Sequence, residues 1–110
     1  MFNLFKKRNK YYYSTSLAKR LIDVINQVKR NIKPDSDMTY CYYTTPSELI
    51  AMLDNCILEI QNGNMKVIDD LSVEFTVTSS LQEHSLGNGW SDEYLIIAEE
   101  FDKIERLIKN

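Results

Sequence analysis

The segment SLQEHSLGNGWSDEYLIIAEEFDKIERLI, residues 80–108, contains two helix starts separated by a glycine turn, and it is the most informative part of the sequence about the architecture. Ser80 and Glu83 have the S-x-x-E spacing of a capping box, in which two side chains satisfy free backbone N–H groups of the first turn. Gly87-Asn88-Gly89 follows, and glycine readily adopts the left-handed conformation that ends helices. The stretch therefore predicts a short helix, a tight turn and a longer second helix.

The second helix has a capping residue, an acidic first turn and one continuous apolar face. Ser91 suits the N-cap, and Asp92 and Glu93 suit the positive end of the helix dipole. Apolar residues recur at helical spacing at Tyr94, Ile97, Ala98, Phe101, Ile104 and Ile108. The pattern predicts a helix over about 92–109. Ile96 and Leu107 project opposite this face, so either a second layer covers them or they belong to a partner-binding patch.

Two further long helices are predicted upstream. The first, over about 15–33, has its apolar face at Leu17, Leu21, Val24, Ile25, Val28 and Ile32. Pro34 ends it, because proline cannot continue a helix. Thr45-Pro46-Ser47-Glu48 is a capping box with proline at the first helical position, which predicts a helix over about 46–62.

The expected fold is mainly α, a single-domain helical bundle over residues 1–110 with three long helices and additional short ones. Residues 1–13 are a candidate flexible arm that is rich in basic and aromatic residues. Residues 65–79 leave two interpretations open, because their apolar residues fit both a helix face and the alternation of a strand. We expect a helical start near 66–72 with an extended continuation. The alternative is a small two-stranded β ribbon that pairs 38–44 with 71–78.

Composition indicates one ordinary globular domain, with 110 residues, 44% of them hydrophobic and 26% charged. The net charge of −3 is unevenly divided. Residues 1–33 carry nine Lys and Arg against Asp23 alone, whereas residues 34–110 carry four against fifteen Asp and Glu. Such a split indicates either internal pairing of the two halves or two different outward surfaces.

No apolar run is long enough for a membrane span, and no apolar segment follows the N-terminal basic residues as in a signal peptide. The expected location is therefore cytoplasmic. The glycines match no phosphate-binding loop. Cys41 and Cys56 are not in a C-x-x-C arrangement, and with a single histidine we expect no metal and no cofactor. His84 lacks a nucleophile and an orienting group in its sequence neighbourhood, so we do not expect an enzyme.

Residues 81–105 carry an L-Q-E-x-S-x-x-N-G-W segment followed by an acidic helix with an A-x-x-F-D core. The residues concerned are Leu81, Gln82, Glu83, Ser85, Asn88, Gly89, Trp90, Ala98, Phe101 and Asp102. In this quarter of its length the chain resembles the small bacterial immunity proteins found beside contact-dependent or polymorphic toxins. The resemblance implies a cytosolic inhibitor that binds one toxin domain and blocks its active site, with no small-molecule substrate.

An acidic protein suits capture of a basic partner, such as a nuclease domain, because opposite charge steers association. The hypothesis therefore places partner binding on exposed acids and on the apolar residues beside them. The predicted partner-binding residues are Asp69, Asp70, Trp90, Asp92, Glu93, Ile96, Glu99 and Glu100.

Two other functions remain as alternatives. The first is a nucleic-acid-associated or regulatory helical protein that uses the basic N-terminal third, for example Lys6, Lys7, Arg8, Lys19 and Arg30. The overall negative charge counts against it. The second is an enzyme that uses His84 with Glu83 or an aspartate.

Overall fold

A computed structural model describes residues 11–76 and 79–109, which form five α-helices and contain no strand. The helices are α1 (Thr15–Lys29), α2 (Pro46–Gln61), α3 (Val67–Glu74), α4 (Ser80–Gly87) and α5 (Ser91–Lys109). The three long helices thus confirm the predictions over 15–33, 46–62 and 92–109, although α1 ends four residues early. The all-α single-domain fold class is also confirmed.

The helices close into a ring of contacts around one core. Each helix packs against its neighbours in the chain, and α1 also packs along α5. Side chains from all five helices meet in the interior, and the largest fully buried ones are Phe101, Leu21, Ile25, Leu49, Leu53, Ile60, Ile68, Leu71, Leu81, Ile97, Ile104 and Ile108. Burial of these apolar surfaces is the main term that stabilises the bundle.

The predicted capping box of α2 is confirmed. The Thr45 hydroxyl accepts from the Glu48 N–H at 3.2 Å, and the Glu48 carboxylate accepts from the Thr45 N–H at 3.2 Å. The capping box predicted at Ser80 is wrong. Ser79 occupies the N-cap of α4, and Ser80 is the first residue of that helix. The Ser80 hydroxyl does not cap the helix, because it accepts a hydrogen bond from the Tyr42 N–H at 2.8 Å.

The β ribbon is also wrong for the described residues. Residues 71–74 belong to α3, and 38–44 form turns and bends. Leu71 and Phe75 pack inward four residues apart, while Val73 between them is 64% exposed, so the burial has helical rather than strand period. Of the proposed second strand, residues 77 and 78 lie outside the described part of the chain.

The oppositely charged halves of the sequence pair internally. Arg20 on α1 binds Glu100 on α5, with Nη2 and Oε2 2.9 Å apart, and Lys29 on α1 binds Asp54 on α2. These contacts join α1 to α5 and to α2. The basic residues at positions 6–10 lie outside the described part of the chain.

The predicted arm is described only from Tyr11 onward. The Tyr11 hydroxyl donates to Asp69 on α3, and the Tyr12 N–H donates to the Ile108 carbonyl on α5 at 2.6 Å. Residues 11 and 12 therefore lie along the helical body. Within the described ranges, no helix is long and apolar enough to cross a membrane.

Candidate functional site

The predicted acidic binding residues do not form one surface. Asp92, Glu93 and Glu99 are exposed on the first half of α5. Asp69 lies at the other end of that helix, where its Oδ1 is 3.0 Å from Lys109 Nζ. At a rise of about 1.5 Å per residue, Asp92 and Lys109 lie roughly 26 Å apart along α5. One compact interface therefore cannot have both Asp69 and the acids of the first half of α5 at its centre.

Two of the other predicted residues make internal bonds. Glu100 is held by Arg20, and Trp90 is only 6% exposed. The Trp90 indole N–H donates to Nδ1 of His84 at 3.0 Å, deep in the protein. Asp70 is exposed on α3, and Ile96 is 69% exposed on α5. Leu107 is 47% exposed, so no second layer formed by the described residues covers either side chain, and the first interpretation is wrong for this part of the chain.

The most distinctive surface is one that the sequence did not single out. The connection between α1 and α2 includes a segment, residues 34–45, that we call the tyrosine loop. Three tyrosines lie within residues 40–43 of this loop. Tyr40 is 79% exposed and Tyr42 is 85% exposed, so two large aromatic side chains stand in solvent. Solvent-exposed aromatic residues close together often mark a binding surface.

The tyrosine loop is attached to the helical body at two places. The Asn88 side chain, from the turn between α4 and α5, accepts from the Asp37 N–H at 2.8 Å and donates to the Asp37 carbonyl at 2.9 Å. Further along, the Tyr42 N–H donates to the Ser80 hydroxyl, and the Cys41 thiol donates to the Ser80 carbonyl at 3.6 Å. The backbone that carries Tyr40 and Tyr42 is therefore held in place.

A groove of about 390 Å³ lies between the tyrosine loop and the end of α3. We call it the tyrosine groove, and its lining residues are Tyr40, Tyr42, Tyr43, Val73, Glu74, Thr76, Ser79 and Ser80. Val73 supplies a further exposed apolar side chain at its edge. The groove thus combines aromatic and aliphatic walls with one carboxylate.

Tyr43 connects the aromatic wall to that carboxylate. Its ring meets the Tyr42 ring edge to face, with centroids 5.2 Å apart and planes at 87°. Its hydroxyl donates to Glu74 Oε2 at 3.2 Å. Burial, followed by the charge of Glu74, raises the pKa of Tyr43 to about 12. The phenol therefore remains protonated and keeps donating to Glu74 at neutral pH.

Glu74 is a half-buried acid without a cationic neighbour in the described part of the chain. Burial raises its pKa, the hydrogen bond from Tyr43 lowers it, and the nearby charge of Asp70 raises it. The charges of Asp37, Glu83 and Glu74 also contribute, after burial, to a raised pKa of Cys41. Four acids, Asp37, Asp70, Glu74 and Glu83, therefore interact with Cys41 of the tyrosine loop or with Glu74 of the groove.

A second and more open cleft, of about 540 Å³, is lined mainly by the tyrosine loop and includes Asp37, Met38 and Cys41. Burial, and then the surrounding acids, raise the pKa of the Cys41 thiol. A thiol is a poor nucleophile while it is protonated, so Cys41 is not activated at neutral pH. The described residues contain no cluster of three His, Cys, Asp or Glu side chains that could hold a metal ion.

Comparisons of the chain with protein-family models, with curated proteins and with solved structures found no significant match. Function therefore rests on the chemistry of the site, because an all-α fold is compatible with many functions.

Proposed function

We propose that this protein is an inhibitory binding protein of the immunity type, which captures a basic toxin domain through the tyrosine groove and its rim. The observation that carries the proposal is the exposure of Tyr40 and Tyr42 on a loop that is bonded at two points to the helical body. The proposal keeps the partner implied by the sequence resemblance. It moves the binding surface from α5 to the groove.

Exposed tyrosines on a fixed loop favour protein binding for an energetic reason. Tyrosine buries a large amphipathic surface in a complex while losing little side-chain entropy, and it is enriched among the residues that dominate binding energy. Because Asn88 and Ser80 already hold the loop, less ordering is required when a partner binds. The same surface offers no activated nucleophile, which supports binding rather than catalysis.

The charge around the groove supports a basic partner. Glu74 lines the groove and interacts with the charge of Asp70, and Asp37, Glu83 and Glu74 all act on Cys41 in the tyrosine loop. Complementary charge raises the association rate and disfavours wrong partners more than it raises affinity. A toxin domain that binds nucleic acid would present the matching basic surface.

The internal ion pairs weigh against the alternative of nucleic-acid binding by the first helix. Lys19, Arg20 and Lys29 of α1 each pair with a carboxylate within the protein. Cations that are already paired release fewer counterions when they approach a phosphate backbone. The described basic residues are thus partly neutralised.

The test is co-expression with the protein encoded by the adjacent gene, followed by a growth assay and a pull-down. We expect the neighbour to arrest growth when expressed alone and the intact chain to restore growth by forming a stable complex. The double variant Tyr40→Ser/Tyr42→Ser should lose rescue. Leu95→Ser is the matched control, because Leu95 is similarly exposed but lies on α5, outside the groove. A harmless neighbour that does not co-purify would contradict the inhibitor function.

A further inference from the structure

We propose that the tyrosine groove seats a single arginine side chain of the partner, with its guanidinium stacked on the Tyr42 ring and bound to the Glu74 carboxylate. The inference rests on the proposed function and specifies the chemistry that the groove recognises. Its basis is the exposed Tyr42 ring, the Glu74 carboxylate, which has no ion-pair partner among the described residues, and the acidic neighbour Asp70.

The Glu74 carboxylate has unused capacity for hydrogen bonds. In the part of the chain that the structure describes, the Tyr43 hydroxyl is the only side-chain donor that reaches it, and the bond is to Oε2. An ionised carboxylate can accept about four hydrogen bonds through its two oxygens. A guanidinium presents parallel N–H groups whose spacing matches such a carboxylate, so it can use the capacity that remains.

The Tyr42 ring supplies the second contact. Its 85% exposure leaves most of the side chain open to a ligand, and its ring contacts the Tyr43 ring edge to face. A cation placed over an aromatic face is attracted by the negative charge density of that face. Both Tyr42 and Glu74 line the same groove, so one side chain can meet both.

Arginine fits this pair of contacts better than lysine does. The planar guanidinium stacks on an aromatic ring and binds a carboxylate with two parallel bonds, whereas the ammonium of lysine is a compact and strongly hydrated charge. Within the described residues no lysine or arginine pairs with Glu74, so its carboxylate is open to a cation that a partner supplies. The acidic neighbour Asp70 adds to the attraction.

The experiment titrates the ¹⁵N-labelled full chain with three small probes and follows the backbone amide shifts. The probes are N-acetyl-arginine methylamide, the citrulline analogue, which has nearly the same shape without the charge, and the lysine analogue. We expect the arginine probe to shift the amides of Tyr42, Val73 and Glu74 most. We also expect binding to be weakened roughly tenfold or more with citrulline, and to be weaker with lysine than with arginine.

Two variants and one control make the result specific. Glu74→Gln keeps the shape of the side chain but removes the charge, and Tyr42→Leu removes the ring but retains an apolar side chain, so each should weaken the arginine probe. Glu99→Gln removes an exposed carboxylate of α5 and should leave binding unchanged. Amide spectra of each variant without probe report whether it is folded.

The proposal is overturned if citrulline or lysine binds as tightly as arginine, or if the shifts persist in both Glu74→Gln and Tyr42→Leu. Failure here is separable from failure of the proposed function. If the chain neutralises its neighbour but the arginine probe does not bind the groove, the inhibitor function stands and the arginine seat is rejected. If the probe binds but no toxin is neutralised, the seat stands and the partner is another arginine-bearing protein.

Discussion

The buried contact between Trp90 and His84 makes one imidazole sensitive to acid. Because Nδ1 of His84 accepts the indole N–H, the neutral ring carries its proton on Nε2, and this buried nitrogen has no hydrogen-bond partner among the described residues. Burial lowers the pKa of His84, and the charge of Asp37 opposes part of that shift. Protonation would place a proton on the nitrogen that accepts from Trp90 and would break the bond.

We therefore predict that the protein becomes less stable in mild acid. The folded pKa of His84 lies below the unfolded value of about 6.5, so the unfolded chain takes up the proton first. The contribution of His84 to the free energy of unfolding is highest above pH 6.5 and falls as the pH drops below it, by at most about 2 kcal/mol at pH 5. Urea unfolding followed by the fluorescence of Trp90, at pH 7 and at pH 5, measures this loss.

The control is His84→Asn, in which the side-chain oxygen can still accept from Trp90 but does not titrate. Other groups change protonation in both proteins, so the informative quantity is the difference between the two losses of stability. An equal loss in the wild type and in His84→Asn would contradict the assignment. His84 is the only histidine of the chain, which leaves no second imidazole to account for the effect.

Asn88 is the residue on which the position of the tyrosine loop depends most. Its side chain makes two hydrogen bonds to the backbone of Asp37 and a third to the His84 carbonyl at 2.9 Å. We predict that Asn88→Ala destabilises the protein by about 1–3 kcal/mol, because these backbone groups lose their partners. Limited proteolysis should then cleave residues 34–45 faster.

Asn55→Ala provides the comparison for Asn88→Ala. Asn55 is exposed on α2 and its side chain makes no hydrogen bond within the described residues. Its removal should change the free energy of unfolding by less than about 0.5 kcal/mol. If the two variants were equally stable and equally resistant to protease, Asn88 would not anchor the loop.

At the scale of the elements, the start of α2 was the most secure prediction from sequence. Thr45, Pro46 and Glu48 each favour the same helix start by a separate physical mechanism, and their local contacts formed as expected. The Ser80 box failed although its spacing is identical. The Ser80 hydroxyl accepts a hydrogen bond from the Tyr42 N–H, which lies 38 residues away in the sequence. Such a long-range hydrogen bond cannot be inferred from the local sequence.

The capping box of α2 gives a direct stability test. We predict that Thr45→Ala lowers the free energy of unfolding by roughly 0.5–2 kcal/mol, since the first turn loses a hydrogen-bond acceptor. Glu48→Gln should cost less, because glutamine can also complete the box. Ser47→Ala is the neutral comparison at an exposed neighbouring position. Chemical unfolding curves of the three variants measure these free energies. A larger loss of stability for Ser47→Ala than for Thr45→Ala would contradict the role of Thr45 as the capping residue.

The helix α3 shows why the middle of the sequence was ambiguous. Leu71, Val73 and Phe75 alternate with polar residues, as in a strand, yet Leu71 and Phe75 also lie four residues apart, as on a helix face. Packing of Phe75 against Phe101, with ring centroids 4.3 Å apart, favours the helical arrangement. The same arrangement leaves Val73 exposed at the edge of the groove, where it contributes to the candidate site.

At the scale of the whole molecule, the fold was predictable and the candidate surface was not. The helix faces are local patterns, so the residues of the core could be read from their spacing. The tyrosine groove depends on three separate parts of the chain, namely the loop at 34–45, the end of α3 and the start of α4. A sequence shows the three tyrosines but not that Ser80 and Asn88 hold them beside Glu74.

The same argument applies to the acids first proposed as a binding surface. Asp69 and Asp92 both belong to acidic pairs in the sequence, yet Asp92 lies in the first turn of α5 whereas Asp69, on α3, contacts Lys109 at the last turn of α5. Asp69 is in contact with Lys109 and Tyr11, and Glu100 with Arg20. Some of the acids that the composition suggests are available to a basic partner therefore pair with cations inside the protein.

The affinity of the captured toxin domain for surface variants, measured by calorimetry, distinguishes the tyrosine groove from α5 as the binding surface. We predict that Tyr40→Ser/Tyr42→Ser weakens binding by about a hundredfold or more, since two buried aromatic contacts are lost. The triple variant Asp92→Asn/Glu93→Gln/Glu99→Gln should change affinity only a few fold. The reverse order, with the α5 variant losing binding and the tyrosine variant retaining it, would show that the partner binds α5 and not the tyrosine groove.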